Sequence, residues 1–88
     1  MSELKGRRIY PKDNLIMSVG DYGFYKGIWY GRPPGQHSGN FKNHTVVEHE
    51  DGTITVSPSI LITSTDKNGK EYEAWHGYLI KGIWKGNK

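Results

Sequence analysis

Twelve glycines are scattered along this 88-residue chain and cut it into short pieces. No window of about eleven residues carries apolar side chains at the 3.6-residue spacing of a helix face. Helix beyond a single turn is therefore not expected, and the remaining solution is short strands joined by turns. The fold class that follows is all-β, a small antiparallel sandwich or partly open barrel built from hairpins, with residues 1–88 forming one domain.

The turn chemistry places the hairpins. Asp51-Gly52 between Thr45–Glu50 and Thr53–Ser57 predicts a two-residue type I′ loop. That register pairs Glu50 with Thr53 and Val47 with Val56, and puts Val47, His49, Ile54 and Val56 on the core face. Pro58 has no N–H to give a ladder, so Ser57-Pro58-Ser59 is expected as a bend or bulge before Ile60-Leu61-Ile62. Lys67-Asn68-Gly69 fits a three-residue loop with Gly69 left-handed, because that register sets Asp66 opposite Lys70. The returning strand, Glu71 to Ile80, leads through Lys81-Gly82 into a last short hairpin. Lys26-Gly27-Ile28-Trp29-Tyr30-Gly31 and Lys81-Gly82-Ile83-Trp84-Lys85-Gly86 echo one another, as equivalent edges or by coincidence. Between them, Gly31 to Asn40 is rich in Gly and Pro and reads as a polar loop of the kind that carries binding on β scaffolds.

A chain this short buries only roughly 60% of its unfolded surface. Three Trp, six Tyr and two Phe must therefore do core work, and with no cysteine there is neither disulfide nor thiolate metal site. Oligomerisation is the remaining source of added stability. No window approaches the ~18 apolar residues of a membrane span, and the start lacks a signal-peptide core, which points to the cytoplasm. The net charge of +3 sits at the ends. Residues 1–12 and 81–88 are basic, whereas residues 13–80 hold five basic and eight acidic groups. That is the wrong sign for a body that tracks duplex DNA.

Chemistry-bearing patterns are few. The histidines 37, 44, 49 and 76 lack metal-ligand spacing, so no metal or other cofactor is expected. Ser57 and Ser59 lack the nucleophile-elbow motif, the acids lie near hairpin tips, and the Gly-rich loop lacks a P-loop ending. Sequence alone thus favours binding over catalysis. Alternation along Trp75-His76-Gly77-Tyr78 puts Trp75 and Gly77 on one face and His76 and Tyr78 on the other, a set that can stack a base and bond it. The candidate ligand-binding residues are Trp75, His76, Tyr78, Ser57 and Ser59, with Arg32 and His37 from the loop and Trp29 and Tyr30 before it. Each has a plainer role as well: core ring for the tryptophans, solvated surface charge for Arg32.

Val56-Ser57-Pro58-Ser59-Ile60, followed by Trp75-His76-Gly77-Tyr78 and Gly82, resembles a family of small phage proteins. In that family a Ser-Pro-Ser-Ile bend precedes a strand of aromatic-or-Cys, His, small and aromatic residues. The likeness covers about residues 51 to 84 in this reading, and the Cys-containing segments of longer members are absent. Small β-rich phage proteins of this kind include anti-defence sponges. The resemblance therefore implies a homo-oligomeric, non-catalytic anti-CBASS protein in the host bacterial cytoplasm that sequesters a cyclic dinucleotide such as 3′3′-cGAMP. A host-takeover inhibitor that binds a protein partner and a single-stranded nucleic-acid-binding module are the alternatives.

Overall fold

The computed structural model describes residues 3–86. Two sheets are formed, and no helix occurs among the described residues. The larger sheet takes β1 (Glu3–Lys5), β6 (Thr45–Glu48), β7 (Ile54–Thr65), β8 (Glu71–Ile80) and β9 (Ile83–Gly86), in the order β1-β9-β8-β7-β6. The smaller takes β2 (Arg7–Arg8), β3 (Asp21–Tyr25), β4 (Ile28–Gly31) and β5 (Gly39–Asn40), in the order β2-β3-β4-β5. The result is a small sandwich rather than a closed barrel. The chain crosses between sheets at Gly6, where a Cβ would stand 2.8 Å from the Gly82 carbonyl and 2.9 Å from that of Gly20.

The core lies between the layers and unites Tyr22 and Phe41 with Ile54, Val56, Ile60, Leu79 and Trp84 of the larger sheet. Trp84 is wholly enclosed, and its indole N–H donates to the Gly20 carbonyl at 2.8 Å, so the largest apolar group also ties the sheets by a satisfied polar handle. A second tie is Arg8. Its guanidinium stacks over Tyr10 and Trp29 at 4.6 and 4.9 Å, while Nη1 donates to Glu48 and to the Gly52 carbonyl at 2.8 Å each. Buried Asp21 is held by a bidentate pair with Arg7 at 3.0 Å and by the Ser18 amide.

The predicted hairpin at 51–52 is present but off by one residue. His49 N–H donates to the Thr53 carbonyl and Gly52 N–H to the His49 carbonyl, making a three-residue loop with Gly52 at φ +88°. The cause is Asp51, whose Oδ1 accepts from both the amide and the hydroxyl of Thr53 at 3.0 and 2.6 Å and holds the turn in its longer form. Val46 therefore pairs with Val56 and Glu48 with Ile54. A one-residue slip reverses every side chain. Val46 packs against the core, Val47 is 52% exposed, and His49 spans to Thr55 Oγ1 at 2.8 Å instead of entering the interior. The loop at 67–69 is as expected, with Gly69 at φ +82°.

Both Lys-Gly steps are two-residue turns. Lys26 and Gly27 have φ of 48° and 83°, Lys81 and Gly82 of 47° and 78°, joining Tyr25 to Ile28 and Ile80 to Ile83. The echo in the sequence is thus a repeated type I′ hairpin, one in each sheet. The polar stretch between them keeps only Gly31 and Gly39–Asn40 as strand.

Candidate functional site

Two irregularities in the β7–β8 ladder shape the outer face of the larger sheet. Between the pairs Val56–Leu79 and Ile60–Gly77, β7 advances four residues while β8 advances two. The expected bulge at Ser57-Pro58-Ser59 takes up that excess. Between Ile62–Trp75 and Thr63–Glu73, β8 advances two residues while β7 advances one, so Ala74 is the extra residue. Bulges of this kind re-aim side chains. Regular alternation would put Glu73 and His76, three apart, on opposite faces; the extra Ala74 brings them to the same face.

The consequence is an ordered set of three groups. His76 Nε2 lies 2.9 Å from Ser59 Oγ, and His76 Nδ1 lies 3.9 Å from Glu73 Oε1. A carboxylate beside Nδ1 favours the tautomer protonated there, which leaves Nε2 to accept the serine proton. From the other side, His44 Nε2 meets the Ser59 carbonyl at 3.2 Å, with its ring 6.0 Å from that of Phe41. An imidazole facing a carbonyl must donate, so His44 carries its proton on Nε2 and pins the backbone beside the Ser59 hydroxyl. Gln36, from the loop of the smaller sheet, donates to the carbonyl of the extra Ala74 at 3.5 Å.

Of the nine candidate residues, Ser59 and His76 are joined by a hydrogen bond, and Ser57 and Tyr78 are exposed on the same two strands. Tyr78 is 41% exposed and sits opposite Lys85 of β9. Trp75 points inward with Gly77 and Leu79 and packs edge-on against Trp84, ring centres 5.9 Å apart. The other four do not join them. Trp29 packs against the core beneath Arg8, and Tyr30 lies on β4 of the other sheet. Arg32 donates to the carbonyls of Gln36 and Met17 at 2.7 and 2.8 Å, fastening its own loop. His37 is exposed on that loop.

Sequence reasoning missed Glu73 as a partner of His76, and His44 as a support for Ser59. No local signal announces the bulge at Ala74. For His44, the nearness to Ser59 arises only when β6 folds back on β7. Among the described residues no cluster of three metal-ligating side chains occurs, and no helix is long and apolar enough to cross a membrane. Comparison with protein families, curated proteins and solved structures finds no match.

Proposed function

We propose that this chain is a small hydrolase that uses Ser59 as a nucleophile, His76 as its general base and Glu73 as the group that orients and supports the imidazole. The observation that carries this reading is the order Ser59–His76–Glu73 on one face, a hydrogen bond of 2.9 Å from serine to imidazole and a carboxylate 3.9 Å from the other ring nitrogen, made possible by the extra residue at Ala74. The same roles recur on unrelated scaffolds whatever the sequence order. Ser59 Oγ attacks an acyl carbon as its proton passes to His76 Nε2. The bond to the leaving group then breaks, and His76 returns the proton to that group. Water, deprotonated by His76, releases the acyl group and restores the serine.

A fluorophosphonate probe is expected to label Ser59, identified by mass spectrometry, with Ser59→Ala unlabelled. His76→Ala should slow labelling by about 10²-fold or more, and Glu73→Gln by less. A folded wild-type protein that resists the probe removes this reading.

The adjacency of Tyr78 and Lys85 beside Ser59 and His76 favours a second reading, in which the same face holds a cyclic dinucleotide such as 3′3′-cGAMP without cleaving it, as an anti-CBASS sponge and within a homo-oligomer. A ring for stacking and a cation for phosphate are the needed parts. Calorimetry against a cyclic-nucleotide panel distinguishes the two. Binding that survives Ser59→Ala and yields no product supports sequestration, and silence across the panel removes it.

A further inference from the structure

The substrate class of the proposed hydrolase is written in the edge beside Ser59. β6 pairs with β7 only from Ser57 back to Ile54, while β7 runs on to Thr65. Among the described residues, no strand pairs with Leu61–Thr65 on the side away from β8. Every second backbone N–H and C=O of that stretch therefore faces outward without a ladder partner. Edges of this kind are ordinarily guarded by charge, proline or a short length. Leu61-Ile62-Thr63-Ser64-Thr65 has no charge and no proline, and three of its residues are β-branched.

The serine stands at the head of this open edge. His76 approaches Ser59 from β8, so the side on which a new strand would lie is the side that does not hold the base. His44, bonded to the Ser59 carbonyl, closes the edge at that end. We infer that the substrate is an extended polypeptide that adds as a strand along Leu61–Thr65, its backbone paired with β7 and one carbonyl brought to Ser59 Oγ. Strand addition takes affinity from main-chain hydrogen bonds and selectivity from alternate side chains. Leu61, 52% exposed on the same face as His76, selects an apolar residue opposite it.

This inference rests on Ser59 being the nucleophile, and the test separates the two. Three phosphonate reagents are compared on the intact chain: a single-residue aminoalkyl phosphonate, the same group on a Val-Thr-Val-Thr peptide, and that peptide with its backbone amides N-methylated. The peptide reagent should label Ser59 about tenfold faster than the short one or more, and methylation should abolish the gain. Equal rates for all three, with Ser59 labelled, would overturn strand addition and leave the nucleophile standing. If none labels Ser59, the nucleophile falls. The edge is read independently by amide exchange of residues 61–65 with and without excess unreactive Val-Thr-Val-Thr amide: slowing supports strand addition, no change overturns it. Protection of these amides in a dimer without peptide would assign the edge to a second copy and also overturn the inference.

Discussion

The two Lys-Gly-Ile-Trp hairpins share four residues and one turn, yet their tryptophans have different fates. Trp84 is fully buried on β9, between β1 and β8, with Trp75 and Phe41 against its ring and its N–H bonded across the sandwich. Trp29 is only partly buried on β4, whose outer neighbour β5 has two residues, and its ring meets Phe24 at 5.2 Å and the Arg8 guanidinium. The turn is a local property of the dipeptide. Burial is a property of how many strands flank the position and what the opposite layer presents.

The comparison is broken most severely at the tryptophans. Trp84→Ala removes an enclosed ring and takes the indole donor from the Gly20 carbonyl, which keeps only the Arg7 amide at 3.1 Å, so chemical denaturation should show a loss of about 3–5 kcal/mol. Trp29→Ala, which leaves a partly open site and loses one cation–π contact, should cost about 2 kcal/mol. Equal losses would mean that strand position does not govern the difference. The glycines sharpen the same point. Both have left-handed φ, but a Cβ on Gly27 meets nothing, whereas one on Gly82 stands 2.6 Å from the Tyr22 hydroxyl and 3.0 Å from Thr53. Gly27→Ala should cost about 1 kcal/mol, and Gly82→Ala about 2–3 kcal/mol because Tyr22 must also move.

This contrast also marks where sequence reading succeeds. The all-β class, the loop at 67–69, the bulge at Pro58 and the placing of Trp75 and His76 on opposite faces all follow from single residues or from strict alternation, which act within a few positions; which of the two faces is the core does not, and Trp75, a binding candidate in the sequence, packs inward. The readings that failed turn on a competing side-chain bond inside a turn, on contacts between distant residues or on an unannounced insertion. Asp51-Gly52 has the composition most favourable to a type I′ turn, but Thr53 offers Asp51 two donors and the longer loop forms instead, carrying Val47 and His49 off the core face. Lys-Gly, a less favoured pair, adopts type I′ in both places. Ala74 is ordinary in composition, yet as an extra residue it decides which acid faces His76. Alternation gives the wrong partner wherever a bulge resets the count.

The hairpin at 49–53 supplies the mildest test, because its turn is held by a carboxylate, whereas the Lys81-Gly82 turn is held by the Thr55 hydroxyl and the Ile54 carbonyl. Hydrogen bonds from the Thr53 hydroxyl, and then from its amide, hold the Asp51 carboxyl below the ordinary carboxylate range. A depressed folded value means the carboxylate's contribution is present above the unfolded value and is lost as pH falls through the folded one. Asp51→Asn should therefore lower the thermal midpoint slightly at neutral pH, and the gap from wild type should close on acidification below the usual aspartate range. The Lys26 and Lys81 turns carry no acid and should contribute nothing to that closure. If the gap persists unchanged in acid, the charged form of Asp51 is not what selects the three-residue loop, and the one-residue slip of β6 must come from the packing of Val46 and the Arg8–Glu48 contact instead.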